Sequence, residues 1–172
     1  MKIEFISRAD TSSRTARHGM IETPFGAAHI AVTGQSLCWL FFPQDNSALE
    51  RLRRAWKGPL VEESTGLQAM ADAVFAGRSM PMVMAGTPFQ HRVWQALVEI
   101  SPGETVSYGE LARSIGMPKS ARAIGSAVGA NPIAYLVPCH RVLAADGSLH
   151  GFACGLELKD RFLTAEGYKR AA

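Results

Sequence analysis

The sequence predicts a chain in two parts: an α/β N-terminal domain, a small antiparallel sheet with helices, followed by a mainly α C-terminal domain with a helix-turn-helix. Three observations predict this. Strand-like apolar runs cluster between Gly19 and Pro43, helical spacing dominates from Phe89 onward, and two short helical segments flank a turn at Gly116. The 172 residues, at roughly 150 per domain, suit one domain or two small ones. With 47% hydrophobic and 19% charged residues, the chain has material for a packed core and does not read as disordered.

The elements follow in order. Residues 1–18 include the polar run RADTSSRTAR and read as a loose lead-in. Residues 19–85 read as the α/β domain. AAHIAV and SLCWLFF, rich in β-branched and aromatic residues, are separated by TGQ and form an expected antiparallel hairpin. Asp45, Asn46 and Ser47 are helix-start residues before ALERLRRAW. A second helix is expected from Ser64 or Thr65 to Phe75, ending at Gly77, and RSMPMVMAG reads as a linker or short extended strand. Residues 86–172 form the second domain. Phe89, Val93, Trp94, Leu97 and Ile100 line one helix face. Ser107 and Glu110 fit a capping box that opens a helix through Ser114. Gly116 suits its exit, and Pro118 suits the first turn of a helix running to Ala130, stopped by Asn131-Pro132. Two short helices across such a turn read as a helix-turn-helix.

Composition excludes several classes. No apolar run reaches the roughly 18 residues that span a bilayer, and MKIEFISRAD lacks the apolar stretch of a secretory signal. Cys38, Cys139 and Cys154 are too scattered for a disulfide framework. A reducing cytoplasm is therefore the expected compartment, where a thiol is free to react. Net charge is only +3, but between Ser107 and Val142 the cations Arg113, Lys119, Arg122 and Arg141 face only Glu110. Such a local basic face binds phosphate, or is merely a solvated helix pair. The helix after Pro118 is almost without large side chains. It either packs tightly in the core or lies against a DNA backbone. With only Lys119 and Arg122 long, its contacts with DNA would be phosphate-driven and nearly independent of sequence.

Pro138-Cys139-His140-Arg141-Val142 places a thiol beside a natural base. On an extended chain these neighbours point to opposite faces, so the pair works together only if the backbone turns or a water bridges them. The apolar run Ile133 to Val137 implies burial, which raises a thiol pKa unless something compensates. Leu158, Phe162 and Glu166, four apart, share one helix face. A carboxylate on that apolar face needs a partner, which His140 or Arg141 supplies unless the helix end frays and solvates it.

The PCHRV block, the SARAIG segment and the Asn131-Pro132 pair stand in specific order within Gly86 to Gly167, and this half of the chain resembles the O6-alkylguanine-DNA alkyltransferases (methylated-DNA–protein-cysteine methyltransferases). The upstream half is similar to the family's small α/β domain only in length and element order. The resemblance implies DNA repair by single-turnover, irreversible transfer of an alkyl group from guanine O6, in a base flipped out of duplex DNA, to Cys139. It leaves O4-alkylthymine open as a second substrate. It implies His140 as the base acting through a water, Glu166 as the carboxylate that orients it, and Asn131 as a hinge to the active-site turn. Tyr108 would bond the flipped guanine at N3, and Arg122 would fill the vacated stack. Lys119, Ser107, Ala123, Gly125 and Arg141 are expected to touch DNA, and Val142, Ala153, Phe152 and Val128 to line the guanine pocket. No cofactor or metal and no membrane partner are implied; the partner is alkylated double-stranded DNA, read independently of sequence by a monomer. Phe152 and Cys154 in GFACG depart from the family pattern, which bears on the size of alkyl group accepted. Two other readings stand beside this one: a lesion sensor that binds without transfer, and a cysteine hydrolase built on Cys139, His140 and Glu166. Relatives of the sensor type lack the acceptor cysteine, and hydrolases bring their Cys and His together from distant segments.

Overall fold

Short apolar stretches at both ends of the first half meet in a single sheet, as seen in a computed structural model that describes residues 2–45, 47–63 and 65–168. The elements are β1 (Ile3–Ile6), β2 (Ala16–Ile21), β3 (Ala28–Thr33), β4 (Ser36–Phe41), α1 (Ala48–Ala55), β5 (Leu60–Glu62), α2 (Leu67–Phe75), β6 (Met82–Ala85), α3 (Pro88–Val98), β7 (Val106–Ser107), α4 (Tyr108–Ser114), α5 (Ala121–Gly129), β8 (Val142–Leu143) and α6 (Leu156–Ala165). They fall into two compact units, Met1–Pro88 and Phe89–Ala172. Asn46 and Ser64, expected as helix-start residues, lie outside the described residues. None of the described helices is long and apolar enough to cross a membrane.

In the first unit six strands order as β1-β6-β4-β3-β2-β5. The expected hairpin is β3–β4, joined through Gly34 at φ 57, the left-handed region a two-residue turn needs. The expectation of a small antiparallel sheet is corrected: β1–β6, β4–β6 and β2–β5 pair in parallel, so the sheet is mixed. These three added strands are three or four residues long, too short to show a period, and parallel pairing depends on distant chain crossing back. β6 is buried at every position, as a strand covered on both faces should be.

The expected loose lead-in is corrected as well. Residues 3–6 are β1, residues 9–13 a 3-10 turn, and β2 starts at Ala16. Its polar residues are ordered because their partners lie forty residues on. The Thr11 hydroxyl, fully buried, accepts from Lys57 N at 2.8 Å, and Trp56 Nε1 donates to Arg14 O at 3.0 Å. Gly58 permits this approach, since a Cβ there would stand 2.1 Å from Arg14 O.

In the second unit the capping box is complete. Glu110 N donates to Ser107 Oγ at 3.1 Å and Ser107 N to Glu110 Oε2 at 2.7 Å. α4 leaves through Gly116 at φ 72. α5 begins at Ala121 rather than Pro118, which sits in the connecting turn, so the helix-turn-helix link runs over residues 115–120. Ile124, Ala127 and Val128 point α5 inward, and Trp94 Nε1 of α3 donates to Ala127 O at 2.9 Å. Arg122, Ala123 and Ser126 remain exposed. The small residues thus serve close packing on one face and leave a slim exposed face on the other. β7 pairs in parallel with β8, Ser107 opposite Leu143, which ties the start of α4 to the segment just after Cys139.

Candidate active site

Cys139 opens a one-turn 3-10 helix, Cys139–Arg141, so the backbone does turn at the Cys-His pair. It follows a loop in which Tyr135 holds φ 72, a conformation uncommon for a side chain without special reason. Asn131 organises that loop. Its Nδ2 donates to Val137 O at 2.8 Å and Ile133 O at 3.3 Å, and its Oδ1 accepts from Ile133 N at 3.0 Å. The same Nδ2 reaches the Cys139 sulfur at 3.1 Å. Cys139 is 6% exposed, and burial pushes its thiol above the ordinary range. Asn131, the Lys159 cation and the backbone amides of Cys139 and His140 oppose that shift without cancelling it. The resting sulfur is therefore a thiol that needs a base.

His140, next in the chain, is fully buried. Its Nε2 lies 2.9 Å from Glu166 Oε1. Glu166 caps the end of α6, and its carboxyl is held down to about 2: burial works against ionisation, but hydrogen bonds and charge from His140 and Arg141 outweigh it. An ionised carboxylate only accepts, so Nε2 must carry the proton. Nδ1 then presents a lone pair, and it is buried with no hydrogen-bond partner among the described residues. Burial lowers the His140 pKa, with Glu166 pulling the other way, so the ring rests neutral and able to take a proton.

Arg141 was expected to touch DNA. It does not face outward: at 9% exposure its Nε and Nη2 donate to Glu166 at 2.9 and 2.7 Å, and Nη1 donates to Ile100 O. A guanidinium forked onto a buried carboxylate and a main-chain carbonyl is turned away from the surface where a phosphate would sit. The partner sought for Glu166 is thus both His140 and Arg141.

Lys159, one place after Leu158 in α6, carries a further charge that sequence reasoning missed. It is fully buried, and Nζ donates to Val142 O at 2.7 Å and His150 O at 3.0 Å. Burial lowers its pKa to about 8, so near neutrality it remains mostly a cation facing Cys139. The signal was present: Lys159 is three residues from Phe162 and seven from Glu166, the spacing of a single helix face. Tyr135 was also missed. Its ring stacks on the His140 imidazole, centroids 5.9 Å apart and planes 15° apart.

These distances place a buried thiol, a hydrogen-bonding amide, a lone-pair imidazole and a clamped carboxylate within one 36-residue stretch, 131–166. Residues 88–168 match the family model described as the 6-O-methylguanine DNA methyltransferase, DNA binding domain. A methylated-DNA–protein-cysteine methyltransferase of Methanosarcina acetivorans is 40% identical over 157 residues, covering 87% of this chain and 97% of its own. The chain belongs to the methylated-DNA–protein-cysteine methyltransferase family. A second member, from Mycobacterium leprae, is 40% identical over 155 residues, 87% of this chain and 91% of its own. A crystal structure of Mycobacterium tuberculosis OGT in complex with DNA superposes with a TM-score of 0.71 at 38% identity, over 88% of this chain and 92% of that one.

The remaining residues take these positions in the methyltransferase fold. Tyr108, the first residue of α4, is half-buried, and burial together with the charge of Cys139 raises its hydroxyl pKa. A Cβ on Gly125 would touch the Tyr108 ring at 3.8 Å, so Gly125 packs α5 beside that phenol. Lys119, in the link before α5, and Arg122 and Ala123, in its first turn, are exposed. Ser107 spends its hydroxyl on the capping box. Val142 and Val128 are buried, and Phe152 and Ala153 are partly so. Phe152 meets Phe162 edge-on at 6.1 Å.

Proposed function

We propose that this methyltransferase repairs DNA by moving an alkyl group from guanine O6 to the Cys139 sulfur, once per molecule. The observation that carries the assignment is the lone pair on His140 Nδ1, set by an ionised Glu166 on the opposite ring nitrogen, beside a thiol that burial keeps protonated. Nδ1 takes the thiol proton through a bridging water. The thiolate attacks the alkyl carbon, the S–C bond forms, and the C–O bond breaks with its electron pair on guanine. Tyr108 donates to guanine N3 and stabilises that charge as it develops. The imidazolium proton then passes to the guanine anion, which restores neutral His140 and leaves guanine and a thioether.

A thioether offers water no carbonyl, so the sulfur is not regenerated. This separates the chain from a cysteine hydrolase, whose thioester intermediate turns over, and Cys139 itself separates it from a sensor without an acceptor. A base inside a duplex is out of reach, so the target is rotated out at a cost of a few kcal/mol, less for a weakened alkylated pair. Arg122 fills the gap while the slim face of α5 lies against the backbone. Val142, Val128, Phe152 and Ala153 line the purine pocket. Residues 86–172 carry this chemistry, and the protein acts as a monomer on duplex DNA without sequence preference.

Intact-mass measurement after incubation with duplex DNA containing O6-methylguanine tests the reading. One added methyl per protein is expected, on the peptide holding Cys139, and none for Cys139→Ala. Lesion loss with the sulfur unmodified, or turnover beyond one per protein, overturns it.

A further inference from the structure

His140 meets two aromatic rings that also pack on each other. Tyr135 lies nearly parallel to the imidazole at 5.9 Å and 15°, and Phe162 meets it at 5.2 Å and 67°. Tyr135 also packs on Phe162, at 4.9 Å, so the three rings brace one another. Tyr135 holds φ 72 where its ring meets His140, which the 3-10 helix Cys139–Arg141 bears. Glycine or asparagine would adopt that backbone at less cost. A bulky side chain held there is a constraint that the surroundings must maintain.

The groups facing His140 are Glu166, Arg141 and Lys159, with Cys139 adjacent. Two of them are cations that oppose a charged imidazolium, and burial opposes it too. Yet the transfer proposed above requires that imidazolium to form when the thiol gives up its proton. Glu166, the thiolate formed in the same step and an aromatic face favour it. A ring quadrupole attracts a cation within about 6 Å of its centroid, and a parallel ring also fixes the imidazole plane.

Resting on that reading of His140 as the base, we infer that Tyr135 is a positioning residue for the reaction: its ring holds the imidazole plane so that Nε2 faces Glu166 and stabilises the imidazolium formed when Cys139 is deprotonated. The aromatic face does this, not the hydroxyl.

The experiment is an NMR titration of His140, with single-turnover transfer rates measured across pH, in the wild type, Tyr135→Phe, Tyr135→Leu and Tyr135→Trp. Leucine keeps apolar cover but removes the face. The His140 pKa is expected to fall by about half a unit in Tyr135→Leu, with the acid limb of the rate profile following it down and the plateau rate dropping about threefold. Tyr135→Phe should match the wild type. Tyr135→Trp, the stronger face, should hold or raise the pKa, and it reads the same effect if the leucine variant folds poorly. A purely structural role would lower the plateau without moving the limb, and that result overturns the inference. So does an unchanged or raised His140 pKa in Tyr135→Leu, or a phenylalanine variant that behaves like leucine. Should the wild type fail to transfer at all, the proposed function falls, while the titration still decides what Tyr135 does to His140.

Discussion

Arg141 holds both oxygens of Glu166, its Nε donating to Oε2 at 2.9 Å and its Nη2 to Oε1 at 2.7 Å. The fork leaves the carboxylate one role toward His140, that of acceptor. A planar, permanently charged guanidinium is suited to this, and a lysine is not. The pair also links stability to pH, because Glu166 ionises near pH 2 when folded and near 4.5 when unfolded.

A depressed carboxylate contributes stability that is fully present above the unfolded value and is lost as pH falls through the folded one. Unfolding by urea between pH 4.5 and 2 should therefore show a loss on the order of 2–3 kcal/mol from this group. Glu166→Gln should lack that slope. It should also be less stable at pH 7 by roughly 3–5 kcal/mol, since Arg141 is left buried with its charge uncompensated.

Asn131→Ala removes the donor to Cys139 and leaves the carbonyls of Ile133 and Val137 without their side-chain partner. Both the loop and the thiolate lose support. Alkylation of Cys139 by iodoacetamide, followed against pH, should move to higher pH, and transfer should slow by about tenfold or more, as expected for a lost hydrogen bond to a charged group. Unchanged thiol reactivity would exclude Asn131 from stabilising the sulfur.

Lys159→Met keeps the volume but removes the charge and the link between Val142 O and His150 O. The Cys139 thiol should become less acidic, and the segment from Val142 to His150 should exchange amide hydrogens faster. Thermal stability need not fall, because replacing a buried charge by an apolar side chain is often neutral or favourable. Transfer that falls while stability holds would mark Lys159 as functional.

The first unit holds a separate pH dependence. His29, buried in β3, contacts His18 at 3.2 Å, and burial, with His18 as a second cause, lowers its pKa to about 4. A depressed imidazole is stabilising above 6.5 and ceases to be so as pH falls through about 4. Stability of this unit should drop across that window, by roughly 2–3 kcal/mol at most. His29→Leu should flatten the curve there and leave the Glu166 window untouched, which separates the two groups.

Local features of this fold were legible. The capping box at Ser107 and Glu110, the helix exit at Gly116 and the turn at Gly34 are each decided within four residues, and each stands where the spacing indicates. The mixed character of the sheet was not legible, because β1, β5 and β6 are too short for a period and pair with strands far along the chain. The polar opening residues looked loose because the groups that order them, Trp56 to Gly58, lie more than forty residues away.

The candidate site divides in the same way. Residue order alone determined that a thiol and an imidazole are neighbours, that a carboxylate sits on an apolar helix face, and that small residues leave one helix slim. Tertiary structure decided that Arg141 turns inward, that Lys159 is buried, that Tyr135 covers His140, and which imidazole nitrogen carries the lone pair. Glu166 meets His140 and Arg141 across 26 and 25 residues. A charged side chain has no fixed direction until packing removes its water, and only the folded chain determines which partner replaces that water.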